Sequence, residues 1–497
     1  MNNPNTQTNT HNTRTAVIKT LINVQQGLSL NNMLDGLLEE VADNDKSFVH
    51  NLLLTSLRHW HATARLLDSL ADKPIDEIEV RTTIQLGITQ LIYLEVAEHA
   101  AIFETVEAIK QLGFDRASGL VNAILRKVAK NPAKYRKQCN KKHSLPNWLA
   151  KKLKQDWRQQ YEQLCKGLRN TAPMFLRVNA RQSNLKDYVD KLQQANIDNE
   201  ILDLSTALNG INDNKKFHVK PIRLIQSQAI SNLPNFDTGM VSVQDAHASI
   251  AGAMVKAIAQ DKLAINPNHH LHILDACTAP SGKLAHCLEL FDKTQITPVV
   301  TKKIGLDKKG NDKVKLIHAN EHCTLTFTAI DSEAKRLQRS EQTLERIGLS
   351  DEALLICADA TRWQINTCQA NKDNEKSFDI ILLDAPCTAT GVMRRHPDIG
   401  LLRQEDDVEQ TVRLQKQILQ NMWQQLKPNG YLIYATCSIL KDENETQMLA
   451  FLADHSDAKA VKIEADWGIE QTIGRQCLPL NENGGDGFYY ALLKKAD

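Results

Sequence analysis

Cys387 and Cys437 each follow an apolar run, in Asp384-Ala385-Pro386-Cys387-Thr388 and Thr436-Cys437-Ser438. A thiol in polar surroundings past a strand end can ionise and act as a nucleophile, whereas a buried thiol is usually a small hydrophobe. Upstream, Asp275-Ala276-Cys277-Thr278-Ala279-Pro280-Ser281-Gly282-Lys283 follows another apolar run. It reads as a loop that wraps a nucleotide-like cofactor and leads into a helix whose first N–H groups meet the cofactor's polar edge. Thiol chemistry beside a cofactor is the reading these residues support. The cysteines at 139, 165, 287, 323, 357, 368 and 477 read as core hydrophobes, and Cys277 as packing under the cofactor loop.

Methylation of a cytosine ring makes use of such a set. Carbon 5 of cytosine is a poor nucleophile, so a thiolate must first add to C6 and make C5 enamine-like. A carboxylic acid near N3 lowers the barrier as charge builds there, and Asp384 is placed for that, because Pro386 fixes the backbone so that acid and thiol project into one site. A second thiol could then assist removal of the C5 proton and departure of the first. The residues themselves do not say which thiol attacks.

These groups need a scaffold that sets them in register. From 239 onward, short apolar strands alternate with amphipathic helices, the signature of a parallel, doubly wound α/β sheet of Rossmann-like type. Strands are expected at 271–274, 325–330, 354–357, 378–383 and 431–435, and each is followed by a polar or thiol group. Asp331 is placed to accept both ribose hydroxyls and Asp359 the adenine amino group, with a loop or helix-cap carboxylate as the structural alternative for each. Residues 291–323 read as a polar insertion at the sheet's periphery.

The 497 residues carry 60 Lys plus Arg against 59 Asp plus Glu, so a net charge of +1 gives no whole-chain argument for nucleic acid. Locally the charge is concentrated: 126–142 holds eight basic residues, including Lys134, Arg136 and Lys137, and no acid. Such a stretch can neutralise several phosphates, the alternative being a solvated helix end. Residues 15–142 repeat apolar positions at helical spacing, as in Phe48, Leu52, Leu53 and Leu57, and read as an all-α module. Residues 143–238 read as a small α+β module and 1–14 as a disordered polar tail. The ten cysteines show no Cys-x-x-Cys or Cys/His zinc spacing, so no metal is expected. No apolar run reaches a membrane span, and a reduced, cytoplasmic protein, a monomer, is expected.

The run 275–283 resembles the cofactor motif of RNA cytosine-C5 methyltransferases. Asp384 to Cys387, with Thr390-Gly391 and Arg394-Arg395-His396-Pro397-Asp398, resembles their proline-cysteine motif, Tyr434 to Ser438 their threonine-cysteine motif, and Gly485-Asp486-Gly487-Phe488-Tyr489 their closing strand. The N-terminal helices look like a NusB-type RNA-binding domain, closest at 100–107 and 119–126. The combination is similar to bacterial small-subunit ribosomal RNA methyltransferases.

The resemblance implies that Cys437 attacks C6, that Cys387 assists breakdown of the adduct, and that Asp384 serves both catalysis and cofactor contact. It implies S-adenosylmethionine as methyl donor, held by Cys277, Thr278, Ala279, Pro280, Ser281, Gly282 and Lys283 with Asp331 and Asp359. It implies small-subunit ribosomal RNA as partner, with Arg394 and Arg395 as further RNA contacts. Ser281 stands where the family usually has the first of two glycines, which costs of order 1 kcal/mol if the position needs positive φ. Thr388 replaces the usual Ser. Competing readings are the same chemistry on another RNA such as transfer RNA, and an assembly or antitermination factor with a relic methyltransferase half. A nicotinamide enzyme on the same sheet is disfavoured by the missing Gly-x-Gly-x-x-Gly.

Overall fold

The computed structural model describes residues 12–299, 301–306, 312–316, 323–365 and 377–497, so most of the expected tail, parts of the insertion and Cys368 lie outside the described residues. The chain forms two compact units. One runs to Thr171 and takes in Met393–Glu405; the other comprises Ala172–Val392 and Asp406–Asp497.

The first unit is helical, as the 3.6-residue spacing requires. Its central helix, Ile78–Ile92, is buried on nearly all sides, and Ile84, Ile88, Val121 and Leu125 close one core while Val17, Ile18, Leu52 and Leu53 close another. The basic stretch falls on the end of Ser118–Ala129, on the helix Pro132–Asn140 and just beyond. The unit then continues through the helices Asn147–Asp156 and Tyr161–Gly167, past the boundary expected at 142.

In the second unit, the α+β segment builds a four-stranded antiparallel sheet from Asn199–Ile201, Ile222–Leu224, Phe175–Val178 and Val241–Val243. The helix Leu185–Gln194 places Tyr188 and Leu192 in a core with Leu176 and Ile222.

The large sheet follows. Its strands are β1 Leu271–Ala276, β2 Leu325–Asp331, β3 Leu354–Cys357, β4 Phe378–Asp384, β5 Leu426–Thr436, β6 Ala458–Val461, β7 Ile469–Glu470, β8 Arg475–Cys477 and β9 Phe488–Lys495. The order is β3-β2-β1-β4-β5-β9-β8-β7, with β6 pairing β9. Strands β1 to β5 are parallel and β9 runs antiparallel to β5. Strands β1 and β4 are buried over most of their length, as sheets covered on both faces demand. The strand order reverses between β1 and β4, which is where such sheets bind ligands. The insertion carries a β-hairpin, Thr301–Leu306 with Asp312–Leu316.

Candidate active site

Asp275, Asp331 and Asp384 stand at the carboxyl ends of β1, β2 and β4, Cys437 just past β5, Cys387 three residues past β4, and Asp359 after β3. The loop after β1 is held from several sides. Thr278 N–H donates to Ile330 O (3.0 Å), Thr278 Oγ1 donates to Asp275 Oδ2 (2.6 Å), and Ala279 N–H donates to Asp331 Oδ2 (3.0 Å). Asp331 therefore braces the loop; its other oxygen accepts from Glu333 N–H (3.1 Å). Ser281 has φ 64° and ψ 21°, so the position does require the left-handed backbone that glycine adopts without strain. Asp359 behaves differently. Its carboxylate is turned onto Thr361 N–H and Oγ1 and pairs with Arg362 (3.1 Å), as a local turn cap does.

Lys283, expected to meet the cofactor, commits its ammonium to Asp384 Oδ2 (2.7 Å) under the ring of Phe488. Burial opposes that charge, but Asp384, with Cys437 and Asp275 nearby, holds its pKa above the ordinary lysine range. Asp275 is buried; desolvation, then the charges of Asp384 and Asp331, outweigh Thr278 and Lys283 and push its carboxyl up to about 7.

The two thiols meet: Cys387 Sγ lies 3.4 Å from Cys437 Sγ. The Cys387 thiol is held well above its usual range by this hydrogen bond, then by burial and by the negative charge of Cys437 and Glu443. Either sulfur can donate in this contact. Gly391 N–H donates to Cys437 O (2.9 Å), and a Cβ at Gly391 would lie 2.7 Å from that oxygen, so only glycine lets the loops approach this closely.

Arg394 is a correction. It was expected at the RNA, but its side chain is fully buried, because the chain leaves the second unit at Val392 and folds Met393–Glu405 into the helical one. There Arg58 donates to Arg394 O (3.1 and 3.2 Å), Leu30 N–H to Asp398 Oδ2 (3.0 Å), and Leu401 and Leu402 pack on the helical core. Arg395 is half-buried in the same segment. Lys134 and Lys137 are exposed; Arg136 is half-buried and pairs with Glu95 (2.9 Å).

Sequence reasoning missed Arg177 and Glu443. Arg177 forms a buried two-bond pair with Glu289 (2.8 and 2.7 Å) and donates to Gly282 O (3.0 Å), tying the β1 loop to the strand Phe175–Val178. No local motif signals this, since the partners lie over a hundred residues apart.

Five parallel strands closed by an antiparallel β9 beside β5 form the sheet of an S-adenosylmethionine-dependent methyltransferase, and touching thiols at its switch point suit a pyrimidine-carbon methyltransferase. Residues 310–494 match the family model described as 16S rRNA methyltransferase RsmB/F, 11–130 that of the NusB family, and 145–209 that of the RsmF/B-like ferredoxin-like domain. The chain is 34% identical over 479 residues to the ribosomal RNA small subunit methyltransferase B of Pasteurella multocida, covering 95% of this chain and 93% of that protein. It is 33% identical over 493 residues to the enzyme of the same name from Yersinia enterocolitica, covering 98% and 99%. Among solved structures, PH0851 shares the fold with a TM-score of 0.66 at 17% identity, over 97% of this chain and 98% of that one. The chain belongs to the RsmB/F family of 16S rRNA methyltransferases.

Proposed function

We propose that the protein methylates C5 of a specific cytosine in 16S ribosomal RNA through a covalent bond between Cys437 and C6, acting as a cytoplasmic monomer. The observation that carries the reading is the pair of thiols 3.4 Å apart beyond the ends of β4 and β5. S-adenosylmethionine supplies the methyl group from a sulfonium centre. Residues 277–282, Asp331 and the Asp275 carboxyl fit it: Asp275 Oδ1 is buried with no hydrogen-bond partner among the described residues, an acceptor suited to an ammonium group. No metal takes part in this reading.

Cys437, as thiolate, adds to C6, and the C5=C6 electrons move toward N3, which takes a proton through the Asp384–Lys283 pair. C5 then takes the methyl group. Formation of the C6–S bond turns Cys437 into an uncharged thioether, 3.4 Å from Cys387 Sγ in the resting arrangement. Cys387, its own proton released to solvent, takes the C5 proton as a thiolate; the C5=C6 bond re-forms, the C6–S bond breaks and Cys437 leaves as thiolate while N3 returns its proton to the Asp384–Lys283 pair. Reaching C6 requires an unstacked base. The exposed basic helix Pro132–Asn140, with Lys134, Arg136 and Lys137, supplies phosphate contacts to the same RNA.

Incubation with unmethylated small-subunit RNA and methyl-labelled S-adenosylmethionine, followed by digestion to nucleosides, tests the reading. The label is expected in 5-methylcytidine; label in another nucleoside, or none, would overturn it.

A further inference from the structure

Glu443 is fully buried and follows β5 by seven residues, and its carboxylate hydrogen-bonds to the neighbours of both thiols, between the loops that carry them. Oε2 accepts from Thr388 N–H (2.8 Å) and from Gln415 Nε2 (3.3 Å); Oε1 accepts from Thr388 Oγ1 (2.5 Å) and Ser438 Oγ (2.6 Å). Thr388 is the residue after Cys387 and Ser438 the residue after Cys437. One carboxylate therefore joins the immediate neighbours of both sulfurs. The surrounding bonds extend the clamp: Gln415 also donates to Pro386 O (2.9 Å), Ile439 N–H donates to Thr390 Oγ1 (3.1 Å), and Asn444 donates to Ser438 O (3.0 Å).

Burying a carboxylate is costly unless its lone pairs are filled, and here four donors fill them. A neutral or apolar residue could pack a loop junction without that cost. What the carboxylate adds is a short, charge-assisted link to each thiol loop. Its charge also faces Cys387, adding to the effects that keep that thiol protonated, after the hydrogen bond to Cys437 and burial.

Resting on the thiol roles proposed above, we infer that Glu443 is a positioning residue that fixes Cys387 against Cys437, so that Cys387 reaches the C5 proton once the C6–S bond has formed. Removing the clamp releases the Cys387 loop more than the Cys437 loop, because Cys437 directly follows Thr436, which is paired in the sheet with Tyr489, whereas Cys387 lies three residues past the end of β4. The step that fails is then elimination.

The test uses the full-length protein with unmethylated small-subunit RNA and labelled S-adenosylmethionine, comparing wild type, Cys387→Ala, Glu443→Gln, Thr388→Val and Thr388→Ser. Glu443→Gln is expected to lower kcat at least tenfold, to leave KM for S-adenosylmethionine within twofold, and to raise the steady-state fraction of denaturation-stable RNA adduct severalfold, as Cys387→Ala does. Thr388→Val, which removes one arm of the clamp and keeps the packing, is expected to shift the adduct fraction the same way, and Thr388→Ser to restore it relative to Thr388→Val. A merely structural role would lower all steps together without accumulating adduct. Adduct in Cys387→Ala but in neither Glu443→Gln nor Thr388→Val would overturn this inference alone. No methylated RNA from wild type, or no adduct in Cys387→Ala, would overturn the thiol reading and this inference with it.

Discussion

Arg177→Met removes one half of a buried ion pair and leaves the other in place. Arg177 and Glu289 have side chains 6% and 1% exposed and share two hydrogen bonds. Without Arg177, the buried Glu289 loses both bonds of its ion pair and keeps only the more distant charge of Arg346, and breaking such pairs costs about 3–5 kcal/mol. The bond to Gly282 O goes too, although Gln244 Nε2 still donates to that oxygen (3.1 Å), so the cofactor loop loosens without losing its last anchor. Arg177→Met with Glu289→Leu removes both charges and restores apolar packing, which is typically within about 1–2 kcal/mol of the parent. Native-state hydrogen exchange of the β1 and β4 amides reads the opening of this unit by itself. Protection is expected to fall by roughly two to three and a half powers of ten in the single variant, at about 1.4 kcal/mol per decade, and to recover most of that in the double variant. A single-variant loss below about tenfold, or a double variant as open as the single, would refute the assignment of stability to this pair.

The Asp275 carboxyl titrates near 7 in the fold against an ordinary 3.8. Its contribution to stability is therefore full below 3.8 and is lost as pH rises through 7, and Asp275→Asn should flatten the fall in Tm of the cofactor-free protein between pH 5 and 8; an unchanged slope would contradict the burial argument. Ser281→Gly relieves left-handed strain of order 1 kcal/mol and should tighten S-adenosylmethionine binding up to about fivefold, whereas Ser281→Val, β-branched at positive φ, should weaken it. Calorimetric titration separates the two, and equal affinities would show that the backbone angle does not limit binding. Neutralising Lys134, Arg136 and Lys137 together should lower RNA affinity and reduce its salt dependence, with S-adenosylmethionine affinity unchanged; unchanged RNA affinity would mark the helix as a solvated surface.

The five parallel strands were legible because each is a short apolar run ended by a polar residue, and burial on both faces leaves little choice of sequence. The left-handed backbone at Ser281 was legible only as a condition: the resemblance puts a glycine there, and only the structure shows φ at 64°. Relations between distant segments were not legible. Lys283 reads locally as a cofactor contact, and only the pairing of β1 with β4 brings it to Asp384. The resemblance implies Arg394 as an RNA contact, yet Met393–Glu405 folds with the helices near the chain's start. Glu443 sits in an ordinary polar turn, and its bonds to Thr388 cross 55 positions. The hairpin Thr301–Leu306 with Asp312–Leu316 was hidden by a polar composition that weakens any strand signal.

Denaturing-gel trapping tests the central claim most directly: wild type, Cys437→Ala and Cys387→Ala, each incubated with unmethylated small-subunit RNA and methyl-labelled S-adenosylmethionine. Cys387→Ala is expected to accumulate a labelled covalent RNA adduct, and Cys437→Ala to give neither adduct nor methylated RNA. An adduct that persists in Cys437→Ala and vanishes in Cys387→Ala would reverse the roles proposed for the two thiols, which lie 3.4 Å apart, and contradict the account.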